Sequence, residues 1–385
     1  MMHALVLLAL AASPDVNLLT LEAGAVAVEA PESYGGDWTV DGLVDGNPRT
    51  GWCSPMGARG PWTFVFELEQ RSALVEVEVD NTHAQEREYP GISASGLEVW
   101  VSSNRADGFT QVASLKLPKG GRARVPLAET PFGRFVKLVV TGSHGASNFT
   151  ELMEVAVKGH PLEPPGPPMR HASGTWDLSG GGVLRLAVDD DAQVRGCVVL
   201  GADAWRLRGT MAGRVARVSL DALEGPADSG TVVVASSGAV LRWARRRPSA
   251  VVVGTRRPEG PDADCAALMD QAALERRLAG APDGIVLRGV GFDGNDEPRL
   301  EPGAELAPLA GLLAARPRLK VRMLVLGKTT EPANDELKRC ERRARAVLAA
   351  LMKQGVPPES VVLGYGLLKV GLVQPEPRVE VRVER

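Results

Sequence analysis

Leu43-Val-Asp-Gly-Asn-Pro-Arg-Thr-Gly-Trp-Cys-Ser54 sets four turn formers, Asp45, Gly46, Asn47 and Pro48, in a row. Asx side chains hydrogen-bond their own backbone and glycine tolerates left-handed geometry, so this is a tight loop between structured segments. Such a loop aims several carbonyls and one carboxylate inward, an arrangement that suits a hard cation such as Ca²⁺. The same residues bonded only to backbone would make a metal-free turn. Outward from the loop the pattern has period two. Phe64, Phe66 and Leu68 alternate with Val65 and Glu67, and Val75, Val77 and Val79 with Leu74, Glu76 and Glu78. Leu97, Val99 and Val101 follow, then Phe135, Lys137, Val139 and Val140. Short alternating runs punctuated by Gly, Pro, Asp and Asn predict an antiparallel β-sandwich over 17–160. Trp52 and Trp62 read as its core.

The alternation stops at His160-Pro-Leu-Glu-Pro-Pro-Gly-Pro-Pro-Met169. Proline at this density predicts a stiff, extended linker over 161–171. Residues 172–256 are strand-like again, in glycine-punctuated runs such as Val183-Leu-Arg-Leu-Ala-Val188 and Gly230-Thr-Val-Val-Val-Ala235. They predict a small antiparallel meander or barrel. Asp189-Asp-Asp191 reads as a strand turn, and Arg245-Arg-Arg247 as a solvated strand end. The last part, 262–385, changes to helical spacing. Helices are predicted over 266–278, 305–314 and a long segment carrying Leu337, Cys340, Ala344, Val347, Leu348 and Leu351. Strands at 285–290, 319–326, 361–363 and 378–383 complete a βαβαββ order, hence a two-layer sandwich with helices on one face of a mixed sheet. The fold class is therefore multidomain, mostly β plus α+β.

With 385 residues the chain is long enough for two or three domains. A net charge of −3 gives no general attraction to nucleic acid or acidic membrane. Residues 1–15 end an apolar run in small residues, the shape of a signal peptide. No later segment has the length of a transmembrane helix. Export to the periplasm or the outer-membrane surface is the expectation, and disulfides are then permitted. Four cysteines, Cys53, Cys197, Cys265 and Cys340, lack metal-ligand spacing. Cys265 and Cys340 could pair; inert buried thiols are the alternative. The five histidines lie in the leader, loops or linker, and no nucleophile elbow, His-Glu-x-x-His or phosphate loop occurs, so no enzyme is expected.

The Asp45 loop, Pro61–Leu68, Leu97–Ser103, Arg134–Leu138 and Glu154–Gly159 together resemble the discoidin (coagulation-factor type C, galactose-binding-like) family. The resemblance implies a jelly roll that binds glycans or other ligands at one end. It also implies a structural Ca²⁺ held at Asp45, Asn47, Thr50 and Glu154. The ligand loops would hold His83, Glu86, Arg87 and Tyr89, with Asn148 from a later loop. No exposed aromatic pair marks a sugar platform in the sequence.

Phe292, Val325-Leu-Gly-Lys-Thr-Thr330, Arg343-Ala-Arg-Ala-Val347, Pro298–Ala310, Gly355–Val362 and Gly364-Tyr-Gly366 resemble the OmpA/MotB/Pal family over 283–385. That resemblance implies peptidoglycan binding, with Arg343 on the family's arginine and Gly327 in its glycine-threonine motif. The motif's carboxylate is replaced by Thr330, and Glu331 or Asp335 could substitute only if the loop bends favourably. Arg339, Arg342 and Arg345 add a basic helix face. The expected function is non-enzymatic binding and tethering in the cell envelope, through a glycan or partner at one end and peptidoglycan at the other. The alternative is an accessory subunit of an envelope machine that uses both end domains for protein contacts.

Overall fold

The structure is a computed structural model that describes residues 15–103, 108–145, 148–245, 251–258, 264–328, 332–368 and 377–384. The expected signal peptide and Thr330 lie outside the described residues.

The first unit is a β-sandwich. Its strands are β1 (Val16–Asn17), β2 (Val26–Glu29), β3 (Trp52–Cys53), β4 (Trp62–Asp80) and β5 (Ala94–Ser102). β6 (Thr110–Lys116), β7 (Arg122–Pro126), β8 (Phe132–Ser143), β9 (Glu151–Leu152) and β10 (Glu154–Pro161) complete it. The two alternating runs on either side of Gln70 are one 19-residue strand, β4. Its register against β8 shifts between Glu67 and Ser72, so it bends there. The first half pairs with β2 and β8, and the second with β10 and β7. Trp52, Phe64, Phe66, Leu74, Leu97 and Leu138 are fully buried between the layers. Trp52 meets Trp62 and Phe64 edge-on at 5.6 and 5.1 Å.

The middle unit closes completely. β11 (Gly174–Leu178), β12 (Gly182–Val188), β13 (Gln193–Leu200) and β14 (Asp203–Ala212) are followed by β15 (Val215–Ala222), β16 (Asp228–Val234), β17 (Val240–Arg245) and β18 (Val251–Arg256). Each strand pairs antiparallel with the next, and β18 returns to β11. An eight-stranded barrel is just wide enough for side chains to fill. Trp176, Leu184, Leu186, Leu207, Leu220, Leu241 and Trp243 fill this one. Asp189 makes the expected turn, accepting from the backbone N–H of Asp191 and of Gln193. Arg245 lies over the Trp205 ring at 4.6 Å rather than in solvent alone.

The proline segment is not a spacer. Gly213 donates its N–H to Gly166 and Met169 donates to Gly213, which holds the segment against the β14–β15 turn. Sandwich and barrel touch directly, with Leu21 and Val26 packed on Val215, Val233 and Ala235.

The C-terminal unit runs α1 (Cys265–Gly280), β19 (Ile285–Val286), β20 (Val290–Phe292), β21 (Pro298–Leu300), α2 (Leu306–Ala315), β22 (Val321–Gly327), α3 (Ala333–Lys353), β23 (Val361–Leu367) and β24 (Arg378–Val383). Its sheet order is β19-β24-β22-β23, with β22 and β23 parallel. The strand expected over 285–290 is two short pieces, and the second turns into the β20–β21 hairpin. Cys340, Ala344, Val347 and Leu351 of α3 are buried against the sheet, as the spacing predicts. Cys265 does not bond Cys340: it forms a disulfide with Cys197 of β13, and Cys53 and Cys340 are free and buried. No described helix is long and apolar enough to cross a membrane.

Candidate functional site

One end of the sandwich gathers the loops that follow β4 and precede β10. Asp80 ends β4 and is paired with Glu154, which begins β10. Three aromatic rings from three loops meet there. Tyr34 and Tyr89 both stand edge-on to Phe149, with centroids at 5.7 and 5.6 Å. Tyr34 is 61% exposed and Tyr89 43%, so each keeps a face toward solvent. The row was not visible in the sequence, because its members are separated by tens of residues of intervening strands. The loops of Tyr34 and Phe149 are braced by backbone bonds. Tyr34 donates its N–H to Cys53 at 2.9 Å. Ser54 and Thr150 bond each other twice, and Gly57 donates to the Asn148 carbonyl.

His83 and Arg87 are exposed on the loop of Tyr89, and Asn148 is exposed beside Phe149. The structure thus brings His83, Arg87, Tyr89 and Asn148 to one end of the sandwich. Glu86 differs. Its carboxylate accepts from the N–H groups of Gly91 and Ser93 at 2.7 and 3.0 Å and from Ser93 Oγ at 2.5 Å, so it clamps the loop. Beneath the loop, buried Glu151 accepts the Gln85 N–H at 2.8 Å. Burial, helped by the charges of Glu86 and Glu88, pushes its carboxyl up to about 7 despite that bond.

The Asp45 loop is built as the Asx chemistry predicts. Thr50 Oγ1 lies 2.8–2.9 Å from both Asp45 oxygens, and Asp45 also accepts from the Asn47 N–H at 2.8 Å. Asn47 Oδ1 accepts from the Arg49 N–H. Asp45, Asn47 and Thr50 are therefore engaged with one another, and Glu154 joins through one oxygen, 3.2 Å from the Gly46 N–H. Its second oxygen, Oε2, is buried without a hydrogen-bond partner. Burial and then the charge of Asp45 push the Glu154 carboxyl up to about 8. An orphaned carboxylate oxygen under pressure from other acids fits a cation's demand for anionic oxygen. Among the described residues, however, no group of three His, Cys, Asp or Glu stands ready to hold a metal ion by itself.

In the C-terminal unit the turn of the β20–β21 hairpin presents Asp296 to α3, with the Asp296 backbone at φ 68°. Arg343 is buried and donates to Asp296 at 2.9 Å and to Glu336 at 3.4 Å, with its guanidinium 5.1 Å from the centre of the Phe292 ring. Arg342 reaches Asp296 at 2.7 Å, and Arg339 lies 3.5 Å from Glu336. The basic face of α3 thus stays exposed at Arg342 and Arg345 while its charge is largely matched by carboxylates within the chain. Gly327 lets α3 approach: a Cβ there would meet Cys340 Sγ and Glu336 Oε1 inside contact distance. Asp296 and Glu336 gave no signal in the sequence as partners of Arg343.

No protein-family model matches the chain, and no curated protein matches it. Solved structures similar to it include the C-terminal domain of a chitobiase from Bacteroides fragilis, at 14% identity over 39% of this chain and 99% of that one (TM-score 0.32). The family 32 carbohydrate-binding module of Streptococcus pneumoniae EndoD is 12% identical over 37% and 98% (TM-score 0.31). The family 32 module of Clostridium perfringens NanJ, in complex with galactose, is 16% identical over 37% and 98% (TM-score 0.30). Likenesses at these scores carry no inference about this chain, whose reading rests on the residues above.

Proposed function

We propose that the protein is a non-enzymatic glycan-binding protein of the cell envelope, exported to the periplasm or outer-membrane surface. The observation that carries this reading is the Tyr34–Phe149–Tyr89 row, flanked by His83, Arg87 and Asn148. Aromatic rings with one exposed face pack against the apolar face of a sugar, while neighbouring polar side chains meet its hydroxyls. The resemblance to discoidin domains supports the same end of the sandwich as the ligand site. A structural Ca²⁺ belongs to this reading, with Glu154 and Asp45 as the carboxylates that would hold it and fix the loop. In a titration of the full chain with oligosaccharides ending in galactose or an N-acetylhexosamine, Tyr34→Ala and Tyr89→Ala should each weaken binding about tenfold, the scale of one lost aromatic contact. Affinities unchanged in both variants would overturn the assignment.

The resemblance of 283–385 to OmpA-like domains supports attachment to peptidoglycan as the second half of the function. Arg343 is held by Asp296 through Nε and by Glu336 through Nη1, so it would have to give up Asp296 to fork a wall carboxylate. Asp296→Asn should then increase binding to purified sacculi. If it leaves binding absent, the internal pairing of Arg343 favours a domain that contacts proteins instead.

A further inference from the structure

A feature still without a role is the cleft where the sandwich, the proline segment and the barrel meet. Its volume is about 560 Å³, within the range of small-molecule sites, which favour domain boundaries. Arg214 forms its floor. The side chain is 5% exposed, and its terminal nitrogens donate to the carbonyls of Leu68, Gly24 and Val234. Four buried polar atoms around the cleft have no hydrogen-bond partner among the described residues: Glu69 Oε2, Gln70 Oε1, Arg134 Nε and Arg214 Nε. Glu69 Oε2 and Arg214 Nε are 3.5 Å apart, close enough to attract but too far for a good hydrogen bond. Native proteins satisfy nearly all buried polar groups, so four unmet atoms around one space call for a partner that both donates and accepts.

The rim adds direction. Arg71 is exposed, stacks 4.2 Å above Phe132 and has no carboxylate partner among the described residues. Arg134 is bound to Glu67 through one terminal nitrogen and stays 37% exposed. Pro164, Pro167 and Pro168 supply a wall without N–H donors. We infer that this cleft binds an acidic saccharide, whose carboxylate meets Arg71 and Arg134, whose hydroxyls donate to Gln70 and Glu69, and whose apolar face lies on the prolines. Glu69 and Glu163 line the cleft as well; Glu69 is taken up by Arg214, and Arg71 and Arg134 are the cations left at least partly exposed.

This site is separate from the aromatic row and is tested separately. The full-length protein is titrated calorimetrically with short oligosaccharides of galacturonic acid and with their neutral galactose counterparts. In Tyr34→Ala, which weakens the aromatic row, acidic chains should bind at least about tenfold more tightly than neutral ones, as one charged hydrogen bond implies. Arg71→Ala and Gln70→Leu should each weaken acid binding about tenfold. Both positions are at least partly exposed, and an unchanged melting temperature shows that each variant is folded. Tyr34→Ala should leave acid binding intact. Three results would overturn the inference: no saturable binding at millimolar concentrations, binding indifferent to both cleft variants, or binding lost in Tyr34→Ala instead.

Discussion

Glu154 is the residue at which burial and like charge act together, and its behaviour with pH can be worked out in sign. Its carboxyl ordinarily titrates near 4.5 and is pushed up to about 8 in the fold. Between those values the folded chain holds a proton that the unfolded chain has released, so stability falls as pH rises through the window. Glu151, pushed up to about 7, adds to the slope over the lower part. Melting temperatures in chelator should therefore decline from pH 5 to pH 8, and Glu154→Gln should flatten that decline. A bound cation reverses the sign at this position, since it favours the ionised carboxylate and stabilises only the folded form. Calcium should then raise the melting temperature most at pH 8, and not at all in Glu154→Gln. Identical melting in calcium and chelator would remove the cation from the reading. The turn itself was legible in Asp45, Asn47 and Thr50, because Asx turns are made by neighbours in sequence. Glu154 follows 104 residues after Thr50 and was reachable only through the discoidin resemblance. Tyr34 and Phe149 carry no local signal at all; their meeting is a property of the loop cluster.

Among the elements, α1 shows what periodicity can and cannot tell. Its apolar spacing predicted a helix, and Asp264 caps it by accepting the Ala266 N–H at 3.0 Å. Its place was not legible, because the partner surface is a barrel strand far back in the chain. Met269 and Ala272 pack against Cys197 and Ala204, and the Cys197–Cys265 disulfide closes the contact over 68 residues. Arg276 reinforces it, donating to the Ala202 carbonyl at 2.7 Å and lying 3.0 Å from Glu224. Restricting an unfolded loop of this length is worth about 4 kcal/mol in the chain-entropy picture, and measured native bridges fall at about 2–5 kcal/mol. Cys265→Ser should lower unfolding free energy by about 2–4 kcal/mol in a denaturant titration. Reductant should reproduce the loss in the wild type and have no effect on the variant. A wild type indifferent to reductant would mean that the two thiols do not bond. Such a bridge also belongs in an oxidising compartment, which agrees with the proposed export.

At the scale of the whole molecule, sandwich and barrel are joined by buried charge. Arg214 of the barrel enters the sandwich between Glu67 and Glu69 at 3.6 and 3.5 Å, while Glu69 returns to the Arg214 N–H at 3.0 Å. Glu67 is also held by Arg134 and by the Ser236 N–H, and Arg242 pairs with Asp41 across the same boundary. None of this was legible, since Glu67 and Glu69 sit in an alternating strand and Arg214 in a turn, where charged residues ordinarily face water. The proline run, correctly located as a boundary, suggested separation, yet its residues fold back onto the barrel turn. Removing one partner from a buried ion network leaves the others uncompensated, at a cost of about 3–5 kcal/mol. Arg214→Ala should therefore uncouple the two units. In scanning calorimetry the wild-type sandwich and barrel should melt in one transition and the variant in two. The sandwich should be the unit that moves lower, because it keeps Glu67 and Glu69. Adding Glu69→Gln to Arg214→Ala should recover part of the loss, as a neutral amide tolerates burial better than an unpaired carboxylate. Two separate transitions already present in the wild type would show that the boundary is a contact between independent domains, and that Arg214 does not couple them.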